Sequence, residues 1–124
     1  MNANELMIGD WVRMKENHGF AFQMEDVGGN GMFKRWTPDG EYMIPYSYGE
    51  IEPIPLTPEI LEKNGFEEFD GWRILDMDDV EIRWIGTILE ISGSHGNMEL
   101  PNVQCVHELQ HALRLCGIKK EIVI

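Results

Sequence analysis

The spacing of apolar and polar side chains separates a set of short alternating stretches from one strongly periodic helix. Val12 and Met14 alternate with Trp11, Arg13 and Lys15, and Phe20, Phe22 and Met24 alternate after them, so both stretches predict strands with one face turned inward. Leu6 and Ile8 lead into this region through a Gly9-Asp10 turn. Met32 to Trp36 and Glu41 to Ile44 predict further short strands around a Thr37-Pro38-Asp39-Gly40 turn, with Gly28-Gly29-Asn30-Gly31 as a hairpin tip. Pro53, Pro55 and Pro58 then hold the backbone extended. Thr57 caps a short helix, Pro58 takes its first position, and Asn64-Gly65 ends it after Lys63, with Phe66 folding back on Ile60 or Leu61.

The second half opens with a strand at Trp72 to Leu75. Val80, Ile82 and Trp84 alternate against Glu81 and Arg83; Gly86 marks a turn, and Thr87 to Ile91 pair back, with Glu81, Arg83 and Glu90 on the outer face. Ser92 to Asn97 reads as a loop. From Val103 to Gly117 the period is helical: Val106, Leu109, Leu113 and Cys116 share a stripe flanked by Cys105 and Ala112. Asn102 is the expected N-cap and Gly117 the stop. Ile122-Val123-Ile124 reads as an edge strand able to close the sheet or to pair with another chain. The expected fold is α+β: a small N-terminal Src-homology-like β-barrel lobe, residues 1–56, packed on an α+β lobe, residues 57–124, that holds the short helix, a β-hairpin, one C-terminal amphipathic helix and a terminal strand.

At 124 residues the chain is one domain or two small lobes sharing a core, and 43% hydrophobic content suffices to pack one. The formal charge of −12 changes the picture more, because binding to nucleic acid or an anionic membrane needs clustered Lys and Arg. It leaves a basic protein partner, or mimicry of nucleic-acid charge, as the electrostatic possibilities. Cys105 and Cys116 lie about 16 Å apart along one helix, too far for a disulfide, which suits a reducing cytoplasm. No charged-then-apolar leader and no run approaching a membrane span is expected.

Candidate chemistry centres on the helix, where His107-Glu108-Leu109-Gln110-His111 spells the His-Glu-x-x-His pattern of zinc peptidases. The two histidines, four apart, share a face, with Glu108 as the would-be general base. That face falls roughly opposite the apolar stripe, beside Gln104 and Arg114, so the histidines are expected to look outward. A third ligand is also missing at metzincin spacing, where Arg114 and Gly117 stand. The favoured reading is two exposed helix histidines and no metal or cofactor; a minimal zinc hydrolase using His107, His111 and Glu108 is the alternative. Asp76-Met77-Asp78-Asp79 fails as a calcium loop because Glu81 and Thr87 stand where Gly and Glu are required. The Gly28–Gly31 stretch lacks the Lys-Ser/Thr ending of a phosphate loop. Trp11, Trp36, Tyr42, Tyr46 and Tyr48 are expected mainly to pack the barrel, with Trp11, Tyr46 and Tyr48 the candidates for peptide contact.

Three segments, Glu5 to Val12, Ile54 to Phe66 and Val106 to Gly117, resemble a family of small uncharacterised proteins from gut anaerobic bacteria and their prophages. Proteins similar in this way often carry Gln at the Glu108 position and Asn at the His111 position. The resemblance therefore implies that the zinc-like spelling is a local variation around Leu109-Gln110, and that the role is an accessory one. Together these readings predict a non-enzymatic, cytoplasmic protein-interaction module, monomeric or dimeric, that contacts an unknown protein partner through Trp11, Tyr46, Tyr48, His107 and His111. The alternatives are the zinc hydrolase and an acidic decoy for a nucleic-acid-binding protein.

Overall fold

The computed structural model describes residues 6–15, 21–24, 32–36, 43–47, 50–77, 79–94 and 96–124, with backbone alone for 32–36 and 43–47. The fold is α+β with antiparallel sheets. The chain divides into two compact units, Met1–Ile54 and Pro55–Ile124.

In the first unit β1 (Trp11–Met14) lies between β2 (Ala21–Gln23) and β5 (Ile51–Pro53), while β3 (Met32–Trp36) and β4 (Met43–Ser47) form a separate two-stranded ribbon. The entry to β1 is a tight turn: Gly9 takes φ +91°, Asp10 N–H donates to the Met7 carbonyl at 3.1 Å, and the buried Asp10 carboxylate accepts the Met7 N–H at 2.8 Å. Val12, Phe22, Met24 and Ile51 are buried, and Arg13 meets Glu52 across the β1–β5 ladder at 2.7 Å. No closed barrel, such as the Src-homology-like one expected for this unit, is found among the described residues, which form this three-stranded sheet and ribbon. The Gly28–Gly31 tip, the Thr37–Gly40 turn and Tyr48 lie outside the described residues.

The second unit is built on a five-stranded antiparallel meander where the sequence predicts a hairpin. Its strands are β6 (Glu67–Phe69), β7 (Trp72–Met77), β8 (Val80–Ile85), β9 (Ile88–Gly93) and β10 (Gly96–Leu100), each paired with its neighbour in sequence. Two-residue connections make this possible. Asp70 and Gly71 both adopt positive φ, as a type I′ turn needs, and Gly86 takes φ +61° at the corner between β8 and β9. Alternation sends Leu75, Ile82, Trp84, Leu89, Ile91 and Met98 to the inner face, where Ile82 and Leu89 are fully buried.

α1 (Pro58–Lys63) starts as predicted, with Ile60 N–H donating to Thr57 Oγ1 at 3.3 Å. Its end is a Schellman motif: Gly65 takes φ +92°, and the Gly65 and Phe66 N–H groups return to the Glu62 and Leu61 carbonyls. α2 (Val106–Leu115) ends in the same way at Gly117, φ +71°, with Ile118 N–H donating to the Leu113 carbonyl at 2.8 Å. Its start differs from expectation. Asn102 sits at φ +63° rather than capping, and Cys105 is the N-cap, because Val103 and Gln104 are used elsewhere: Val103 N–H donates to the Thr87 carbonyl and Val103 C=O accepts the Trp84 indole N–H at 3.0 Å, while the Gln104 carbonyl accepts from Leu56.

The predicted terminal strand is absent, and residues 116–124 have no regular structure. The buried side-chain amide of Asn64 replaces a strand partner, donating to the Val123 carbonyl at 2.7 Å and accepting its N–H at 2.8 Å. Ile122 is thereby held in the core. No helix among the described residues is long and apolar enough to cross a membrane.

Candidate functional site

Around α2 the buried arc is wider than the predicted stripe. Val106, His107, Leu109, Gln110, Ala112 and Leu113 are all buried, which at 100° per residue covers roughly 220° of the helix. His107 is 6% exposed and His111 half-buried, so the expectation that both imidazoles look outward is corrected. The stripe was centred on the largest apolar residues, whereas the helix is buried on both flanks of that centre. Cys116, expected on the stripe, is exposed because the chain turns at Gly117. The His107 and His111 rings meet edge-on, centroids 5.5 Å apart at 74°. Among the described residues no group of three or more His, Cys, Asp or Glu is placed to hold a metal ion. Glu108, the would-be base, makes a local contact: its Oε1 accepts the Gln104 N–H at 3.2 Å, satisfying a backbone donor at the helix start.

Of the aromatic candidates, Trp11 is half-buried on β1. Tyr46 lies on β4, opposite Phe33, where only the backbone is described.

A second candidate surface is the outer face of the five-stranded sheet. Strand pairing places Phe69 opposite Trp72, Ile74 opposite Arg83, Arg83 opposite Glu90 and Ile85 opposite Ile88 on that face. Phe69 is 70% exposed, among the largest apolar exposures in the described chain. Arg83 stands 4.6 Å above the Trp72 ring, 2.6 Å from Glu90 and 3.4 Å from Glu81. The hydrogen bond that Arg83 donates to Glu90, aided by the charges of Glu90 and Glu81, outweighs desolvation and raises the guanidinium pKa above its ordinary value. The carboxylates of Glu67, Asp76, Glu81, Glu90 and Glu99 share this face with Arg83 as the one cation among the described residues. An apolar strip set in negative charge can take an apolar surface that brings cations with it.

The sequence carried a signal for this face that the periodicity reading passed over. Asp70-Gly71 is a strong two-residue hairpin signature, and reading it as one pairs Phe69 with Trp72. Comparison with protein-family models, curated proteins and solved structures finds no match to the chain.

Proposed function

We propose that this chain is a non-enzymatic protein-interaction module, an accessory protein of the cytoplasm, that docks a basic partner on the outer face of its five-stranded sheet. The observation that carries the reading is Phe69, 70% exposed beside the Trp72–Arg83 stack on a face that also carries five carboxylates. Aromatic residues in such a setting supply contact area at low entropic cost, and the carboxylates steer a cationic partner. The pairing of β1 with both β2 and β5 is consistent with the small barrel expected for the first unit. The two thiols, neither in a disulfide, fit a reducing compartment.

Cross-linking in cells that naturally produce the chain, comparing wild type with Phe69→Ser, tests the reading. A basic protein linked to the sheet in wild type and lost in the variant, with the far-ultraviolet circular dichroism unchanged, is the expected result. An identical cross-linked set in both would remove the outer face as the docking surface.

A further inference from the structure

The outer face ends at β10, and the edge beyond that strand has properties of its own. β10 pairs with β9 on one side, and no strand pairs with its other side among the described residues. Antiparallel pairing turns the N–H and C=O of every second residue toward that open edge. Gly96–Leu100 contains neither lysine nor proline, two of the residues that blunt an edge, and its one charge is Glu99. Beside it lies a cleft of about 750 Å³, within the range of ligand-binding pockets. Met98, Ile91 and Val80 of the inner sheet face line one part of it; Cys116, Gly117 and Ile118, just past the end of α2, line another.

We propose that the β10 edge and this cleft form a strand-addition site for an extended segment of a partner protein in which apolar and basic residues alternate. The alternation follows from the pleat. A strand laid against β10 sends every second side chain to the inner side, where the cleft and Met98 receive apolar groups. The side chains between them emerge on the outer side, next to Glu99 and its cross-strand neighbour Glu90, where positive charge is favoured. Main-chain hydrogen bonds to the open edge supply sequence-independent affinity, and the two faces supply the selection. The opposite edge strand, β6, lacks this combination: it is three residues long and each of its residues is exposed. The site stands independently of the docking surface around Phe69.

The probe is a soluble seven-residue peptide alternating Lys and Val, titrated into the isotope-labelled chain and followed by amide NMR. Shifts and slowed hydrogen exchange at Gly96–Leu100, together with shifts at Ile118, are expected. Replacing the central Val and the Lys beside it with Pro removes a main-chain donor from each edge of the peptide and should weaken binding about tenfold. Glu99→Lys should weaken it about fivefold, and a Glu-Val peptide should not bind. Phe69→Ser should leave peptide binding unchanged, which separates this site from the outer-face reading. The proposal is overturned by shifts that centre on Phe69 and Ile88, by equal binding of the proline or Glu-Val peptides, by no shifts at millimolar peptide, or by a dimer that already occupies β10 without peptide.

Discussion

The helix that spells a catalytic motif and the sheet face that spells nothing make an instructive pair. On α2, His107 is buried, His111 half-buried, and Glu108 accepts a backbone N–H, so these side chains take part in packing and in satisfying the helix start. On the sheet, Phe69, Trp72 and Arg83 match no motif, yet they stand where a partner could reach them. Residue identity at a spacing says what chemistry is available; burial says whether it is offered.

The largest expected effect that sharpens this contrast comes from a matched pair of substitutions. Leu109→Ala removes a fully buried side chain and is expected to cost about 3 kcal/mol. Phe69→Ser should stay within about 0.5 kcal/mol, since that ring lies mostly in solvent. Denaturant unfolding of both reads the difference, and comparable losses would show that Phe69 belongs to the core. Next comes Asn64→Ala, which strands the Val123 N–H and C=O and should cost about 2 kcal/mol while speeding hydrogen exchange at Val123. Unchanged exchange there would mean the C-terminal segment is held by Ile122 alone.

A smaller effect tests the role given to Glu108. Glu108→Gln keeps an acceptor oxygen and should shift stability by less than about 0.5 kcal/mol, while Glu108→Ala should cost about 1 kcal/mol. Thermal melts decide it, and repeating them with zinc tests the motif itself: a melting point that zinc raises in wild type and not in His111→Ala would return the motif to metal chemistry. The smallest effect concerns Cys116. Although the residue is largely exposed, partial desolvation of its sulfur against the cleft raises the thiol pKa above its ordinary value. Less of it is thiolate at any pH below that raised value, so alkylation by iodoacetamide at pH 8 should run slower than for a cysteine in an unstructured peptide. A faster rate would contradict the direction of the shift.

Where local chemistry decides structure, the sequence was readable. Thr57-Pro58, Asn64-Gly65 and Gly117 fix the ends of helices through hydrogen bonds within a few residues, and they fall where expected. Val80 to Ile91 showed its strands because one face is buried and the other charged. Elements held mainly by their neighbours were not readable. β10 is Gly-Asn-Met-Glu-Leu, with weak strand character of its own, and it is a strand because Ile91 and Leu89 stand opposite Met98 and Leu100. β6 needed the Asp70-Gly71 turn to be weighed above the exposure of its own residues. The same holds at the candidate site. The motif histidines could be found by spelling, but the burial of His107 depends on how far around α2 the rest of the unit reaches. Phe69 becomes notable only once its strand is known.

The meander's two-residue corners bear on how the sheet comes into being. Each ladder joins segments adjacent along the chain, so every pairing step closes a short loop and forfeits little entropy. Each added strand meets its partner across a two-residue corner, so the sheet can extend one ladder at a time without closing a long loop. The step that adds β10 to β9 is the same step that an incoming strand would repeat upon β10.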